Sequence, residues 1–158
     1  MGKKYGPEPQ VFSPKNVDKY KGKIPIILRS SLELRFAILL DRLKACVQWG
    51  SETNVVPYYD PSSKMKKRRY IVDFYMVIQD PKSKKRVKYY VEIKPYSQCL
   101  PPKNTKRKKP STYMAECLAY ATNQAKWKAA ADFAQRNKGK FIVVTEKSLA
   151  SITGNTRY

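Results

Sequence analysis

Three ionisable residues in the middle of the chain are of the types that bind metal ions and activate water. Asp73 interrupts a run of β-branched and aromatic residues, and Glu92 and Lys94 end a second such run. Carboxylate oxygens suit Mg²⁺ or Mn²⁺, and such an ion polarises a phosphoryl group and supplies a hydroxide nucleophile. A nearby ammonium orients the water or neutralises developing charge. The three residue types therefore point to metal-dependent cleavage of phosphodiester bonds.

A β-hairpin has to bring these residues together. Strands are predicted over residues 69–78 and 86–94, and the turn between them contains Asp80-Pro81 and Ser83. Because side chains alternate between the faces of a strand, Glu92 and Lys94 lie on one face. Taken alone, Glu-x-Lys is a weak signal, since most such matches are exposed cross-strand pairs. The catalytic interpretation therefore requires that Asp73 lies on the same side of the sheet as Glu92.

A further acid begins the first predicted helix, over residues 31–46. Glu33 follows Ser30 by three residues, which is the spacing of a capping box and favours a purely structural role. However, Glu33 shares a helical face with Ala37 and Leu40, beside the apolar stripe that faces the core. An acid at that position can also point toward a site at the end of the sheet.

The charge balance indicates an anionic partner. Lys and Arg outnumber Asp and Glu by 33 to 12, which gives a net charge of +21, and a polyphosphate backbone fits such a charge best. A membrane surface is the competing interpretation, but no run is long enough to span a bilayer and no apolar leader begins the chain.

Absent residue types exclude several chemistries. The chain has no histidine, which removes Ser-His-Asp and Cys-His nucleophile systems and nucleases with a histidine base. It has no P-loop motif. Its three cysteines form no CxxC pair, so they are expected to be reduced.

Basic segments supply the candidate nucleic-acid contacts. The run before Asp73 is expected to be a loop, in which a solvated surface and a phosphate-contacting role are about equally supported. A second basic run lies in a flexible loop, and two lysines flank Trp127, which is expected in the core rather than stacked on a base. The candidates are Lys66, Lys67, Arg68, Arg69, Lys106, Arg107, Lys108, Lys109, Lys126 and Lys128.

The predicted element order is α, β, β-hairpin, α, β, α, which gives an α/β fold with a mixed sheet flanked by helices. Residues 1–29 are expected to form an extended basic arm, and residues 30–152 one domain with a basic loop at 97–110. The second long helix is expected to break near Thr122-Asn123, and residues 153–158 to form a frayed tail.

This order of elements and acids resembles the PD-(D/E)XK nuclease superfamily, whose restriction-endonuclease-like core runs αβββαβ. The chain is also similar, over nearly its whole length, to head completion nucleases of T-even-type tailed phages, and to the related transposon-end nucleases. Its most specific matching motifs are Trp49-Gly50-Ser51-Glu52 and Glu92-Ile93-Lys94-Pro95. One departure is Val72, which stands where the superfamily motif has proline.

The resemblance implies an endonuclease dependent on Mg²⁺ or Mn²⁺ that acts on double-stranded DNA at filled heads before tails join. Asp73, Glu92 and Glu33 would bind the metal, with Glu33 preferred over Glu52 as the third carboxylate, and Lys94 would position the attacking water. The implied partners are phage head and neck proteins of the portal region. The implied location is the host cytoplasm during assembly, with the head–neck region of the virion as a further location.

Two other functions use the same positive surface. A structural neck or head protein would bind the packaged DNA end without cutting it, and an RNA-binding protein would use the basic loops. Intact acids together with Lys94 favour the enzyme, because a clamp gains nothing from burying acids near phosphate.

Overall fold

The computed structural model describes residues 8–153. The part of the expected arm before residue 8 and the expected tail after residue 153 lie outside the described residues. Short 3₁₀ turns cover Val17–Lys19, Pro61–Ser63 and Tyr96–Cys99. The strands and helices are β1 (Gln10–Phe12), β2 (Ile26–Leu28), α1 (Ser31–Arg42), β3 (Cys46–Asp60), β4 (Lys66–Gln79), β5 (Arg86–Ile93), α2 (Pro110–Arg136), β6 (Lys140–Val144) and α3 (Glu146–Thr153).

A four-stranded mixed sheet with the order β3-β4-β5-β6 forms the centre of the protein. The pairs β3–β4 and β4–β5 are antiparallel, and β6 is parallel to β5. A parallel pair needs a long crossover connection, which α2 provides. The sequence α1-β3-β4-β5-α2-β6 confirms the predicted αβββαβ order and the mixed sheet.

The two faces of the sheet pack against different helices. On one face, Phe36, Ala37 and Leu40 of α1 join Trp49 and Phe74 in one buried cluster. On the other face, α2 contributes to a second cluster, whose buried members are Val56, Tyr58, Tyr70, Val72, Tyr90, Ala130 and Ala134. Since apolar burial is the main favourable term in folding, these clusters fix each helix against its own face.

The first helix is shorter than expected, and a long strand follows it. Helix α1 ends at Arg42, and Cys46 already begins β3. Strand β3 runs through Gly50 and Ser51 and carries a bulge between Ser51 and Asn54. Sequence periodicity could not distinguish one bulged strand from two strands, since a bulge interrupts the alternation in the same way as a turn.

The strand that contains Asp73 begins at Lys66 and not at Arg69 as expected, so most of the basic run lies in a strand and not in a loop. Lys66, Lys67, Arg68 and Arg69 pair with the last residues of β3, with Arg69 opposite Pro57. Cross-strand pairing satisfies the backbone groups, which a count of charged side chains does not reveal.

The described part of the N-terminal arm packs on the domain. Strands β1 and β2 form a small antiparallel sheet, and Tyr20, Ile26 and Leu28 are buried in the cluster that contains α1. The carboxylate of Asp41 in α1 accepts the backbone N–H groups of Lys15 and Asn16 at 2.9 and 3.0 Å. Hydrogen bonds to a buried acid therefore add to apolar burial in fixing the arm.

The second helix is continuous through Thr122-Asn123, where a break was expected. The Trp127 ring N–H is buried, in agreement with a packed position for this side chain. All three cysteines are unpaired, as expected. Among the described residues, none of the helices is both long and apolar enough to cross a bilayer.

Asp60, the last residue of β3, links the end of the β3–β4 pair to α2. Its buried carboxylate accepts hydrogen bonds from the Ser62 hydroxyl at 2.7 Å and the Thr122 hydroxyl at 3.1 Å, and it pairs with the Arg68 guanidinium at 2.9 Å. The Ser62 hydroxyl is the largest cause that lowers the pKa of Asp60 to about 2, with further hydrogen bonds from the Ser62 N–H and Thr122. The contacts of Asp60 therefore require its ionised form.

We expect the hydrogen bonds and the ion pair of Asp60 to stabilise the fold less in acid. Because the pKa of Asp60 is lower in the folded protein than in the unfolded chain, where it is about 3.9, its stabilising contribution is present above pH 4 and is lost as the pH falls toward 2. In Asp60→Asn, unfolding midpoints measured between pH 5 and pH 2 should depend less steeply on pH than those of the wild type. The matched change Asp132→Asn, at an exposed acid, should leave the slope unaltered; an equal slope in Asp60→Asn would contradict the assignment.

Candidate active site

Asp73 lies where the alternation of β4 changes phase. Val72 packs in the cluster that contains α2, whereas Phe74 packs in the cluster that contains α1. The bulge of β3 is opposite this point, since Ser51 pairs with Phe74 and Asn54 pairs with Val72. A bulge increases the local twist and redirects side chains. The direction of the Asp73 side chain is therefore set by the bulge in the sheet and not by regular strand geometry.

Asp73 and Glu92 lie side by side, as the catalytic interpretation requires. One Asp73 oxygen accepts the backbone N–H of Ile93, the residue after Glu92, at 2.8 Å, and this contact brings the Asp73 carboxyl group close to Glu92. Burial, followed by the charge of Glu92, raises the pKa of Asp73 well above its ordinary value, although the Ile93 N–H partly offsets this. A carboxyl pair with repelling charges is a typical feature of catalytic and metal-binding sites.

Glu92 is held by two groups in addition to Asp73. Its side chain is buried, and one oxygen accepts the Tyr70 hydroxyl at 2.5 Å. The other oxygen is 3.6 Å from the ammonium of Lys94. Burial and the adjacent Glu92 raise the pKa of the Tyr70 hydroxyl far above its ordinary value, so Tyr70 remains a hydrogen-bond donor throughout the neutral range.

Lys94 directly follows the end of β5 and is fixed through its backbone. Its N–H donates to the Val144 carbonyl at 3.0 Å, which extends the pairing with β6 by one residue. Its side chain is 23% exposed, so the ammonium reaches the site while still in contact with solvent. The strand positions of Glu92 and Lys94 thus place an acid and a cation next to each other on the side of Asp73.

Glu33 is engaged in the capping box that the sequence suggested. Its oxygens accept the Arg29 N–H at 2.9 Å and the Ser30 hydroxyl at 3.0 Å, while its own N–H donates to the Ser30 oxygen. It is nevertheless close enough that its charge contributes to the raised pKa of Asp73. The structural and the site-directed interpretations of Glu33 are therefore compatible in this fold.

Glu52, the alternative third acid, is directed elsewhere. It has a positive φ of 52° within the bulge, and its carboxylate forms an ion pair with Arg29. These two side chains line a shallow cavity of about 220 Å³ together with Tyr20 and Ile71. The pairing with Arg29 orients Glu52 toward this cavity.

The donor set suits a divalent ion with hard oxygen ligands. Asp73 and Glu92 offer adjacent carboxylate oxygens, and Mg²⁺ is commonly bound by one or two carboxylates while it retains several waters. A cation between the two acids would also relieve their repulsion. Across residues 8–153, however, no three His, Cys, Asp or Glu side chains are grouped tightly enough to hold one ion.

The basic residues predicted to contact nucleic acid differ in whether they are exposed or already paired within the protein. Arg68 and Lys108 are engaged within the protein, with Asp60 and Glu116 respectively. Lys126 lies over the rings of Tyr58 and Tyr70, 5.7 Å from each centroid. The remaining candidates are exposed, and among them only Lys128 is in a described ion pair, with Asp132; they are Lys66, Lys67, Arg69, Lys106, Arg107, Lys109 and Lys128.

Tyr70 is the site residue that sequence reasoning missed. It was assigned only to the apolar run of the first hairpin strand, yet its hydroxyl binds Glu92 across 22 residues of sequence. A tyrosine in a strand is usually a packing residue. Nothing in the local sequence signals this contact, which depends on the phase change at Asp73.

The fold and the acidic pair place the protein among nucleases of the restriction-endonuclease-like class. The family model described as TnsA-like endonuclease, N terminal, matches residues 44–146, and the chain belongs to this family. The chain is also 36% identical over 145 residues to the head completion nuclease of Enterobacteria phage T4, an alignment that covers 88% of this chain and 91% of the relative. These findings confirm the expected family and fold.

We expect Tyr70→Phe to destabilise the fold by leaving a buried carboxylate oxygen without its donor. Loss of a hydrogen bond to a charged group costs roughly 1.5–3 kcal/mol, and Glu92 is too buried for water to replace the hydroxyl fully. Urea unfolding at neutral pH would measure the loss. The control is Tyr90→Phe, which removes a hydroxyl from a buried tyrosine of the same cluster. Equal stabilities of the two variants would argue against a bond between Tyr70 and ionised Glu92.

We expect Asp73→Asn to be more stable than the wild type when divalent ions are removed by a chelator. The pKa of Asp73 is higher in the folded protein than in the unfolded chain, so the folded form retains a proton that the unfolded form has lost. Wild-type stability therefore falls as the pH rises from about 4. Melting temperatures compared at pH 4 and pH 8 should show a gain in the variant that is larger at pH 8. A variant that is less stable at both values would contradict the repulsion between the two acids.

Proposed function

We propose that this protein is a metal-dependent DNA endonuclease that acts during phage head completion. The observation that carries the proposal is the position of Asp73, whose carboxylate accepts the Ile93 N–H beside Glu92 at 2.8 Å, with the Lys94 ammonium 3.6 Å from Glu92. These are the groups required to bind a divalent ion and to assist hydrolysis of a phosphodiester. Membership of an endonuclease family supports the same conclusion.

Each side chain has a distinct role in this proposal. Asp73 and Glu92 hold Mg²⁺ or Mn²⁺, which when bound polarises the phosphoryl group and lowers the pKa of a coordinated water. The Tyr70 hydroxyl and the Ile93 N–H fix the two carboxylates. Lys94 orients the attacking water and neutralises negative charge that develops on the phosphoryl oxygens.

Glu33 is the proposed third acid. Its charge acts on Asp73, whereas the Glu52 carboxylate is paired with Arg29. Glu33 sits at the N-terminus of α1 in the capping box, and from that position it would add a third negative charge to hold a divalent ion near Asp73. This arrangement needs no departure of Glu33 from Ser30.

The biological setting of the proposal comes from the phage relative. The name of that protein is head completion nuclease, and 36% identity over most of both chains supports a shared role. The proposed substrate is therefore double-stranded DNA at the filled head, and the proposed partners are head and neck proteins of the portal region. Assembly in the host cytoplasm and presence in the head–neck region of the virion follow from this role.

The alternative is a structural head or neck protein that binds the DNA end without cutting it. The same net charge of +21 serves both functions. The acidic pair favours the enzyme, because two adjacent carboxylates close to a phosphate backbone weaken DNA binding unless a cation lies between them.

Nicking of supercoiled plasmid with and without Mg²⁺ tests the proposal. We expect cleavage only with the metal, and a reduction of roughly a hundredfold or more in Asp73→Ala and Lys94→Ala, since each removes a group that acts on the reacting centre. DNA binding in chelator should be largely retained. Asp132→Ala and Lys140→Ala, at exposed positions, are the matched controls and should cut normally.

Two outcomes would decide against parts of the proposal. Binding of DNA without Mg²⁺-dependent nicking by the wild type would establish the structural alternative. Full activity of Asp73→Ala or Lys94→Ala would reject the assigned roles. Within the same assay, Glu33→Gln should reduce cleavage more than Glu52→Gln, and the reverse order would transfer the third acid to Glu52.

A further inference from the structure

The ends of β3 and β4 form a two-stranded ribbon beyond the four-stranded part of the sheet. We define the ribbon as residues 54–60 and 66–72 together with the connecting turn. Its register is continuous from Asn54–Val72 to Asp60–Lys66, whereas the pairing of β4 with β5 begins only at Phe74. The ribbon therefore extends from Asp73 as two paired strands, without a third strand of the described residues beside them.

The two faces of the ribbon are chemically different. One face is covered by α2, through Val56, Tyr58, Tyr70 and Val72. The other face is exposed and is formed by three cross-strand pairs, which bring together apolar, aromatic and basic side chains. These pairs are Val55–Ile71, Pro57–Arg69 and Tyr59–Lys67.

The exposed face carries cations that are not neutralised locally. Arg68, which points to the other side, is paired with Asp60. By contrast, neither Lys67 nor Arg69 forms an ion pair within residues 8–153, and none of the six residues on the exposed face is acidic. Tyr59 is 57% exposed beside Lys67, and Val55 and Ile71 are also exposed on this face; adjoining exposed apolar side chains with polar neighbours are typical of interaction sites.

We propose that this exposed face of the ribbon contacts the substrate duplex in a groove to one side of the cleavage point, an inference that rests on the proposed function. Two paired strands are about 4.8 Å apart, and the major groove, about 12 Å wide, admits a two-stranded ribbon. Lys67 and Arg69 then contact phosphates, and Tyr59 and Ile71 pack against sugars or base edges. Duplex DNA is favoured over a protein partner for two reasons. Among residues 8–153, the cations of this face have no acidic side chain beside them, and few of its side chains require a partner group of one particular chemistry.

The position of the ribbon sets the distance of these contacts from the reaction. Lys67 precedes Asp73 by six residues in a continuous strand, which corresponds to about 20 Å at roughly 3.3 Å per residue. That length equals about six base pairs of B-form DNA at 3.4 Å each. The ribbon therefore contacts DNA about half a helical turn from the cleavage point.

The test compares two double variants that lose the same charge. Lys67→Gln with Arg69→Gln changes the ribbon, and Lys82→Gln with Lys85→Gln changes exposed lysines at the β4–β5 turn, at the other end of the sheet. Fluorescence anisotropy with a 30-base-pair duplex in chelator would give affinity as a function of salt. Glutamine retains the length of the side chains, and near-ultraviolet circular dichroism would confirm the fold of each variant.

We expect the ribbon variant to bind roughly tenfold more weakly than wild type at 0.1 M salt. Its slope of log affinity against log salt should be smaller by about 2, because each lost phosphate contact accounts for about 0.9. The control variant should keep the wild-type slope. In hydroxyl-radical footprinting of a cleavage-deficient Asp73→Ala background, the ribbon variant should lose protection about six base pairs from the cut.

Equal affinities and slopes of the two double variants would overturn the inference, and so would an unchanged footprint. Such a result with normal nicking by the wild type would leave the proposed function standing and would assign the ribbon face to a protein partner. Absence of any duplex binding by the wild type would instead reject the proposed function itself.

Discussion

Repulsion between two adjacent carboxylates is the constraint on which the site depends. Asp73 and Glu92 are held close together in a largely buried position, where burial and the charge of Glu92 raise the pKa of Asp73. The Ile93 N–H, the Tyr70 hydroxyl and the Lys94 ammonium partly offset this repulsion. The fold thus tolerates a locally unfavourable arrangement, as is common at sites arranged to receive a cation or a reacting group.

The bulge in β3 and the phase change in β4 link this acidic pair to the rest of the architecture. On one side of Asp73 the sheet has four strands with helices on both faces, and on the other side it continues as a two-stranded ribbon with one face exposed. The bulge opposite Asp73 therefore sets the direction of the Asp73 carboxylate, and the ribbon begins at the same point. Because the strand is continuous, the orientation of the ribbon is fixed relative to the site.

Charge is distributed unevenly between these regions. The few acids of the chain are largely committed to structure or to the site: Asp41 fastens the N-terminal segment, Asp60 fastens the ribbon to α2, and Glu33 caps α1. Many of the cations, in contrast, remain on the surface. Such a division leaves a positive exterior around a small acidic centre, which suits an anionic polymer that must approach a metal-binding pair.

The sequence by itself determined the element order, the mixed sheet and the anionic class of partner, and it predicted Asp73, Glu92 and Lys94 as the candidate site residues. These follow from local periodicity, residue chemistry and net charge, which need no knowledge of distant contacts. The strand expected to begin at Arg69 begins instead at Lys66, because cross-strand pairing is decided between segments. Only the tertiary structure brought Tyr70 to Glu92 and placed Glu33 near Asp73 while retaining it in its helix cap. It alone separated Arg68, bound to Asp60, from Lys67 and Arg69 on the exposed face. The physical reason is that the side of the sheet on which a residue lies depends on register, and register is set by packing across the whole sheet.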